Sequence, residues 1–132
     1  GWTPMGGRKA LMAFSLAGIS ACTAAVVFAE SNAVALALIS VSLFLIYIAS
    51  AAAWATVPVA APGQFTASLG SIQNFGGYLG GALAPAVTGF IVARTGSFSQ
   101  ALLLSAAISL AGAAAYLLLV NRTIHSGENQ AG

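Results

Sequence analysis

The chain has 132 residues, of which 59% are hydrophobic and 5% are charged, and its net charge is +2. About a quarter of the residues of a soluble domain are charged, and a domain of this length cannot hide so much apolar surface in one core. The composition therefore excludes a soluble enzyme. It also excludes a nucleic-acid-binding protein, because the four basic residues form no basic patch.

Charged residues divide the sequence into three uncharged runs, 10–29, 31–93 and 95–121. A helix that crosses a bilayer needs about 20 apolar residues, so the first and last runs hold one helix each. The middle run holds two, because Pro58, Pro62 and Gly63 interrupt it. The sequence predicts an all-α, polytopic membrane protein with four transmembrane helices, and the predicted spans are 9–29, 33–57, 66–93 and 98–120.

The few basic residues predict the orientation of the chain in the membrane. Lysine and arginine are enriched in cytoplasmic segments. Arg8, Lys9 and Arg122 lie on the side of the two termini, and Arg94 lies on the other side. We therefore expect both termini in the cytoplasm and the spans in the inner (plasma) membrane. The single cysteine, Cys22, cannot form a disulfide within the chain, and we expect no metal site, cofactor or catalytic residue.

The third predicted span has two unlike faces on a helical wheel of 100° per residue. Bulky apolar residues occupy one face, which is suited to lipid. The other face carries Asn74, with Ser71, Gln73 and Tyr78 as neighbouring polar side chains. An unsatisfied amide in hydrocarbon is costly, so Asn74 either lines a cavity or forms a hydrogen bond with another helix.

Small residues recur at every fourth position of the same span. Such rows let neighbouring helix backbones approach closely, and this predicts a helix-packing role, with direct ligand contact as the alternative. Pro85 removes a backbone donor in mid-helix, which makes a kink plausible there. The predicted packing residues are Gly76, Gly77, Gly80, Gly81 and Pro85.

On the second span, Tyr47, Ser50 and Trp54 form one stripe. Tryptophan and tyrosine often lie at the membrane interface, so Trp54 is either an interface anchor or the wall of a cavity. The first and fourth spans contain no polar cluster and are expected to serve as scaffold. No span contains an ionisable group that could couple transport to an ion.

The sequence from Ser71 to Gly89 reads Ser-Ile-Gln-Asn-Phe-Gly-Gly-Tyr-Leu-Gly-Gly-Ala-Leu-Ala-Pro-Ala-Val-Thr-Gly, and Thr-Gly-Ser-Phe follows at 95–98. This resembles the penultimate helix of the major facilitator superfamily, in its anion:cation symporter branch. Trp54 and the turn at Pro62 and Gly63 fit the pattern of that branch. The resemblance implies helices nine to twelve of a twelve-helix carrier. Residues 1–8 would then end a cytoplasmic loop, 9–122 would form the four-helix segment, and 123–132 would be a disordered cytoplasmic tail.

By this resemblance, the chain is expected to be the C-terminal part of a secondary active transporter that works by alternating access. Its partners would be a small organic anion, a coupling proton or sodium ion, the lipid bilayer and the remaining helices of the carrier. The resemblance also places Trp54 and Asn74 at the substrate cavity, and the substrate-binding candidates are Asn74, Trp54, Tyr47, Ser50, Ser71, Gln73 and Tyr78. Alanines at 51–53 replace the polar residues of other members, which favours a less hydroxylated anion.

A second hypothesis is a complete four-helix membrane protein that acts as an assembly subunit or an oligomeric exporter. Small four-span drug exporters are expected to carry a glutamate within their first span. Glu30 lies instead at the far end of the first predicted span. The sequence thus favours the carrier over this alternative.

Overall fold

The structure is a computed structural model, and it describes residues 4–61 and 63–119. The described residues contain four α-helices and no strand. The helices are α1 (Pro4–Val26), α2 (Asn32–Ala60), α3 (Thr66–Thr95) and α4 (Phe98–Leu119), and a short 3-10 turn, Gly63–Phe65, precedes α3. All four helices are long and apolar enough to cross a membrane. The predicted fold class, all-α with four membrane-spanning helices, is confirmed.

Local polar contacts set the ends of the central helices. Ser31 precedes α2 in an extended conformation, and its hydroxyl accepts a hydrogen bond from the backbone N–H of Val34 at 3.3 Å. At the C-terminus of α3, Gly96 ends the helix with φ of 67°, and its N–H donates to the Val92 carbonyl at 2.8 Å. This left-handed conformation favours glycine. In the last turn of α3 the Arg94 guanidinium lies over the Phe90 ring, 5.2 Å from its centroid.

The helix ends differ from the predicted span limits at the prolines. The second span was predicted to end at 57, but α2 continues through Pro58 to Ala60. Pro58 lacks the N–H that would donate to the Trp54 carbonyl, but α2 continues for only two residues beyond it, and the Ala61 N–H donates to the Val57 carbonyl at 3.0 Å. α1 begins at Pro4, in the first turn, where a backbone N–H has no partner within the helix and a proline is tolerated. α3 passes through Pro85 without interruption.

These bounds describe helices, and the span limits within a bilayer stay predictions. The same holds for the loop at 1–8, of which residues 1–3 lie outside the described part of the chain. The predicted tail at 123–132 lies outside it altogether.

The helices do not contribute equally to the core. α1 packs along both α2 and α4, whereas α3 lies at the edge and touches α4 and α2 over shorter stretches. Small side chains dominate the buried positions, which lets the helix backbones approach closely. The buried hydrophobic residues are Ala13, Ile19, Ala49, Ala52, Val57, Ala61, Ala101, Ala106 and Ala113.

The contact between α1 and α2 is tightest at Gly18. A Cβ atom placed on Gly18 would lie 2.7 Å from Cδ1 of Leu45, whereas one placed on Gly112 would lie 3.8 Å from Cδ1 of Leu16. The first distance forces Leu45 to move, and the second is an ordinary van der Waals contact. A side chain at Gly18 would therefore displace the end of the Leu45 side chain.

We predict that Gly18→Ala lowers the stability of the helix bundle by no more than about 1 kcal/mol, the lower end of the usual cost of overpacking, because Cδ1 is the flexible end of the Leu45 side chain and can rotate away. Gly112→Ala, the same substitution on α4, should leave stability unchanged or raise it. The melting temperature of each purified variant in detergent measures the effect. The double variant Gly18→Ala/Leu45→Ala removes the clash, so its loss of stability should be smaller than the sum of the losses in the two single variants. A loss equal to that sum would contradict this explanation.

Candidate functional site

Two clefts lie along the contact between α2 and α3. The first, here called the inner cleft, has a volume of about 320 Å³. Its lining residues are Ser50 and Trp54 from α2 and Gln73, Asn74, Gly77 and Tyr78 from α3. The second, the turn cleft, has a volume of about 350 Å³ and lies nearer the connection between the helices. Its lining residues are Trp54, Val57, Thr66, Ala67, Gly70, Ser71 and Asn74.

Trp54 and Asn74 line both clefts and therefore form the boundary between them. Helical periodicity explains how each helix supplies its part. Ser50 and Trp54 are four residues apart on α2, and Asn74 and Tyr78 are four residues apart on α3, so each pair lies on one face of its helix. The inner cleft has a volume within the range of about 300–1,000 Å³ that small-molecule sites occupy.

The inner cleft offers hydrogen-bonding groups that no described residue satisfies. The amides of Gln73 and Asn74 and the hydroxyls of Ser50 and Tyr78 form no hydrogen bond with the part of the chain that the structure describes. Each is able to donate to a ligand oxygen. Amides without a hydrogen-bond partner are costly in apolar surroundings. We therefore expect these side chains to bind water, a ligand or another helix.

The hydroxyls of the turn cleft are engaged differently. Ser71 donates to the Ala67 carbonyl at 2.9 Å, and Thr66 donates to the Ala61 carbonyl. Their protons are thus held by the backbone, and these hydroxyls can only accept further hydrogen bonds. The donors available to an anion therefore concentrate in the inner cleft.

The structure brings most of the predicted binding residues together. The inner cleft holds Ser50, Trp54, Gln73, Asn74 and Tyr78. Ser71 lines the turn cleft. Tyr47, whose side chain is 75% exposed, is not among the residues that line either cleft. The structure gives the positions of these residues, and their roles in substrate binding stay predictions.

The predicted packing glycines face open space within the described helices. A Cβ atom placed on any of them would meet no described atom within 4 Å, and Pro85 is exposed on the same helix. Their packing role stays a prediction, and it would involve helices other than the four described. The residues concerned are Gly76, Gly77, Gly80 and Gly81.

The sequence pattern did not single out Gly70 as a contact residue. A Cβ atom placed on Gly70 would lie 3.6 Å from Cζ3 of Trp54 and 3.7 Å from Cγ1 of Val57. Among the described residues of α3, Gly70 is the one that is buried. The available signal was distance along the chain, because Trp54 and Gly70 lie at similar distances on either side of the short connection between α2 and α3 and so meet when the two helices fold back on each other.

A groove of about 390 Å³ between α3 and α4 differs from both clefts in its chemistry. Its lining is mostly aliphatic, with Leu83, Val87 and Ile91 from α3 facing Leu104 and Ile108 from α4. The hydroxyls of Ser105 and Ser109 in this groove donate to carbonyls one turn earlier. The inner cleft is therefore the candidate binding site.

Comparison with known proteins relates the chain to transporters. It is 38% identical over 125 residues, 95% of its length, to a probable L-galactonate transporter of Escherichia coli strain K12. It is 29% identical over 126 residues (95% of its length) to a probable sulfoacetate transporter of Cupriavidus necator, and 32% identical over 94 residues (71%) to a hexuronate transporter of Bacillus subtilis. The chain spans 28%, 29% and 22% of the lengths of these three relatives. No protein-family model and no solved structure matches it.

These relatives and the four apolar helices indicate a multi-pass membrane protein that is similar to transporters. The relatives are organic-anion transporters, which agrees with the resemblance of α3 to the organic-anion branch of the major facilitator superfamily.

We predict that the inner cleft contains water when the chain is in a membrane. In a Cys22→Ala background, a cysteine at Ser50 should react with a charged methanethiosulfonate reagent supplied on both sides of the vesicles. A cysteine at Ile72, which is 69% exposed on the apolar face of α3, should stay unmodified, because a thiol in hydrocarbon does not ionise readily. Mass spectrometry measures both reactions, and equal modification of the two cysteines would contradict the assignment of the faces.

Proposed function

We propose that the chain forms the C-terminal part of a secondary active transporter that carries a small organic anion across the inner (plasma) membrane. The substrate class is a sugar acid or another small carboxylate. One structural observation supports this most directly: a cleft between two apolar helices presents amide and hydroxyl donors that the described residues leave unsatisfied. The relatives, which are transporters several times longer than the chain, favour a carrier over the four-helix subunit or exporter.

In this proposal the inner cleft binds the uncharged portion of the substrate. Its lining residues carry no charge, so the carboxylate of the anion finds its basic partner elsewhere in the carrier. Asn74 forms a hydrogen bond with the substrate, Trp54 provides an apolar wall, and Gln73, Ser50 and Tyr78 supply further polar contacts.

The transport cycle follows from the same arrangement. Alternating access moves one helix bundle against another around a site near the middle of the membrane, and the driving force is a gradient of protons or sodium. The described helices contain no acidic side chain that could bind the coupling ion, since Glu30 lies in the connection between α1 and α2. The coupling group therefore belongs to the remaining helices. These helices also cover the glycine face of α3.

We predict that Asn74→Ala weakens substrate binding in the full-length transporter. Loss of a hydrogen bond costs about 0.5–1.5 kcal/mol, and more when the partner is charged, which corresponds to a several-fold or larger rise in Kd. Trp54→Ala should also weaken binding, through the loss of apolar contact. Substrate-induced thermal stabilisation and transport, measured on the same preparations, determine both effects, with Gln100→Ala at the start of α4 as a control amide outside the cleft.

The alternative role for Asn74, a hydrogen bond between helices, gives a different result. Asn74→Ala would then lower the yield or the melting temperature of the transporter while the surviving protein bound substrate normally. Unchanged affinity in both Asn74→Ala and Trp54→Ala would contradict the proposed binding site.

A separate prediction concerns orientation. With both termini in the cytoplasm, the connections at 30–32 and 94–100 face outward and the turn at 58–64 faces inward. In a cysteine-free background, cysteines at Ser31 and Ser97 should react with an impermeant thiol reagent added outside intact cells. A cysteine at Gln64 should react only after permeabilisation, and the reverse pattern would show the opposite orientation.

A further inference from the structure

The groove between α3 and α4 ends beside a basic residue. It follows α3 from Gly80 to Ile91, and on α4 it begins at Ala101, in the first turn of that helix. Arg94 lies three residues beyond Ile91 and therefore on the same face of α3. The apolar groove thus leads to a guanidinium group at the end nearest the connection between the two helices.

The Arg94 guanidinium has no anionic partner in the part of the chain that the structure describes. It lies 5.2 Å from the centroid of the Phe90 ring, and its N–H groups donate to no described atom. A cation over an aromatic face can still donate hydrogen bonds to an anion. Because Phe90 precedes Arg94 by one turn, this contact holds the guanidinium back along α3, near the level of Ile91. The positive charge is therefore available to an anion at the end of the groove.

One hydroxyl of the groove is also available. Three side chains that line it carry hydroxyls, and those of Ser105 and Ser109 each donate to a carbonyl of their own helix at 3.0 Å. The Thr88 hydroxyl forms no hydrogen bond with a described residue. Thr88 lies one turn before Ile91, on the side of the guanidinium that faces the membrane centre. A ligand in the groove would therefore meet a positive charge, then one hydroxyl donor, and then aliphatic side chains.

The length of the groove matches one leaflet of a bilayer. At 1.5 Å per residue, α3 advances by about 21 Å from Arg94 to Gly80. Half of a bilayer, from its headgroups to its centre, measures about 20–22 Å. A phospholipid carries its groups in the same order along this length: a phosphate, then ester carbonyls, then an acyl chain. The groove is complementary to such a molecule in charge, in polarity and in length.

We propose that the groove between α3 and α4 binds one anionic phospholipid. Arg94 binds the phosphate through charge-assisted hydrogen bonds, Thr88 donates to an ester carbonyl, and one acyl chain lies between Leu83 and Ile108. Among the described residues the acidic side chain is that of Glu30, in a different connection, so a zwitterionic headgroup would leave its ammonium group without a partner. The groove is separate from the inner cleft, and the inference does not depend on the proposed substrate.

The test uses the full-length transporter in detergent micelles that contain phosphatidylglycerol with a diazirine at the end of one acyl chain. After illumination, mass spectrometry of the peptides locates the label. We expect the label around Gly80 and Ser109, which line the end of the groove far from Arg94. Phosphatidylcholine with the same chain should label these positions several-fold less, because its quaternary ammonium group offsets the charge of the phosphate.

Arg94→Gln removes the charge. It should lower labelling by phosphatidylglycerol about ten-fold, the effect expected from losing a hydrogen bond to a charged group, so that the two lipids label alike. Arg94→Lys should keep the preference for phosphatidylglycerol, because the charge remains. Arg8→Gln is the matched control. It removes the same charge near the start of α1, at the opposite end of the bundle from Arg94, and should leave labelling unchanged.

A second pair of variants tests the groove itself. Ala84→Phe places a ring in the groove and should lower labelling, whereas Ala86→Phe, the same substitution outside the groove lining, should not. If Arg94→Gln does not fold, this pair decides the question, and equal labelling of the two variants would overturn the inference.

Two further results would overturn the inference. Absence of label from the groove of the unmodified transporter would show that another part of the carrier fills it. Equal labelling by the two lipids, or labelling by phosphatidylglycerol that survives Arg94→Gln, would show an ordinary lipid shell without a specific site. Neither result would affect the proposed function, because uptake of the organic anion is a separate measurement.

Discussion

Hydrocarbon cannot hydrogen-bond to a peptide group, and this constraint governs the whole structure. Each backbone N–H and carbonyl within the bilayer must find its partner inside the protein, which is why the described residues form long helices joined by short connections. Several hydroxyls satisfy the same constraint locally, although the buried hydroxyls of Ser15 and Ser42 have no partner among the described residues. Ser40, Thr56 and Ser105 each donate to a carbonyl one turn earlier, at 2.7–3.0 Å. The amides of Gln73 and Asn74 form no hydrogen bond with the described residues, and we expect the segment to meet something other than lipid there.

The number and type of helices could be predicted from the sequence because charge is so strongly excluded from hydrocarbon. The exact ends could not be predicted in the same way. The second span was predicted to end at 57, before Pro58, yet α2 continues to Ala60, because the loss of one helical hydrogen bond at Pro58 does not unwind the residues that follow it. Gly96 ends α3 through a left-handed conformation, a feature of backbone geometry that hydropathy does not report.

The candidate site was predictable one helix at a time. Periodicity placed Ser50 with Trp54 and Asn74 with Tyr78, and the structure brings these four residues to one cleft. Periodicity does not show how far a cleft extends along a helix, and Tyr47 belongs to the same stripe but lies outside both clefts.

Contacts between two helices were harder to predict than the set of residues that share one face of a single helix. The contact between Trp54 and Gly70 depends on how two helices fold back on each other, and the wheel of either helix alone contains no information about it. The same limit applies to the glycine rows. A Cβ atom at Gly76 or Gly80 would meet nothing within 4 Å in the described helices, so the packing role of these glycines stays a prediction.

The unequal packing of the four helices has a mechanical consequence. α1 is held between α2 and α4, so displacing it would break the interlocked alanine positions of the core. α3 is attached over shorter stretches, and most of its surface is free of the other described helices. Sliding or tilting α3 as a rigid rod therefore sacrifices little dispersion energy. Among the described helices, the cleft between α2 and α3 thus has one wall that is fixed in the three-helix core and one wall that is held over shorter stretches.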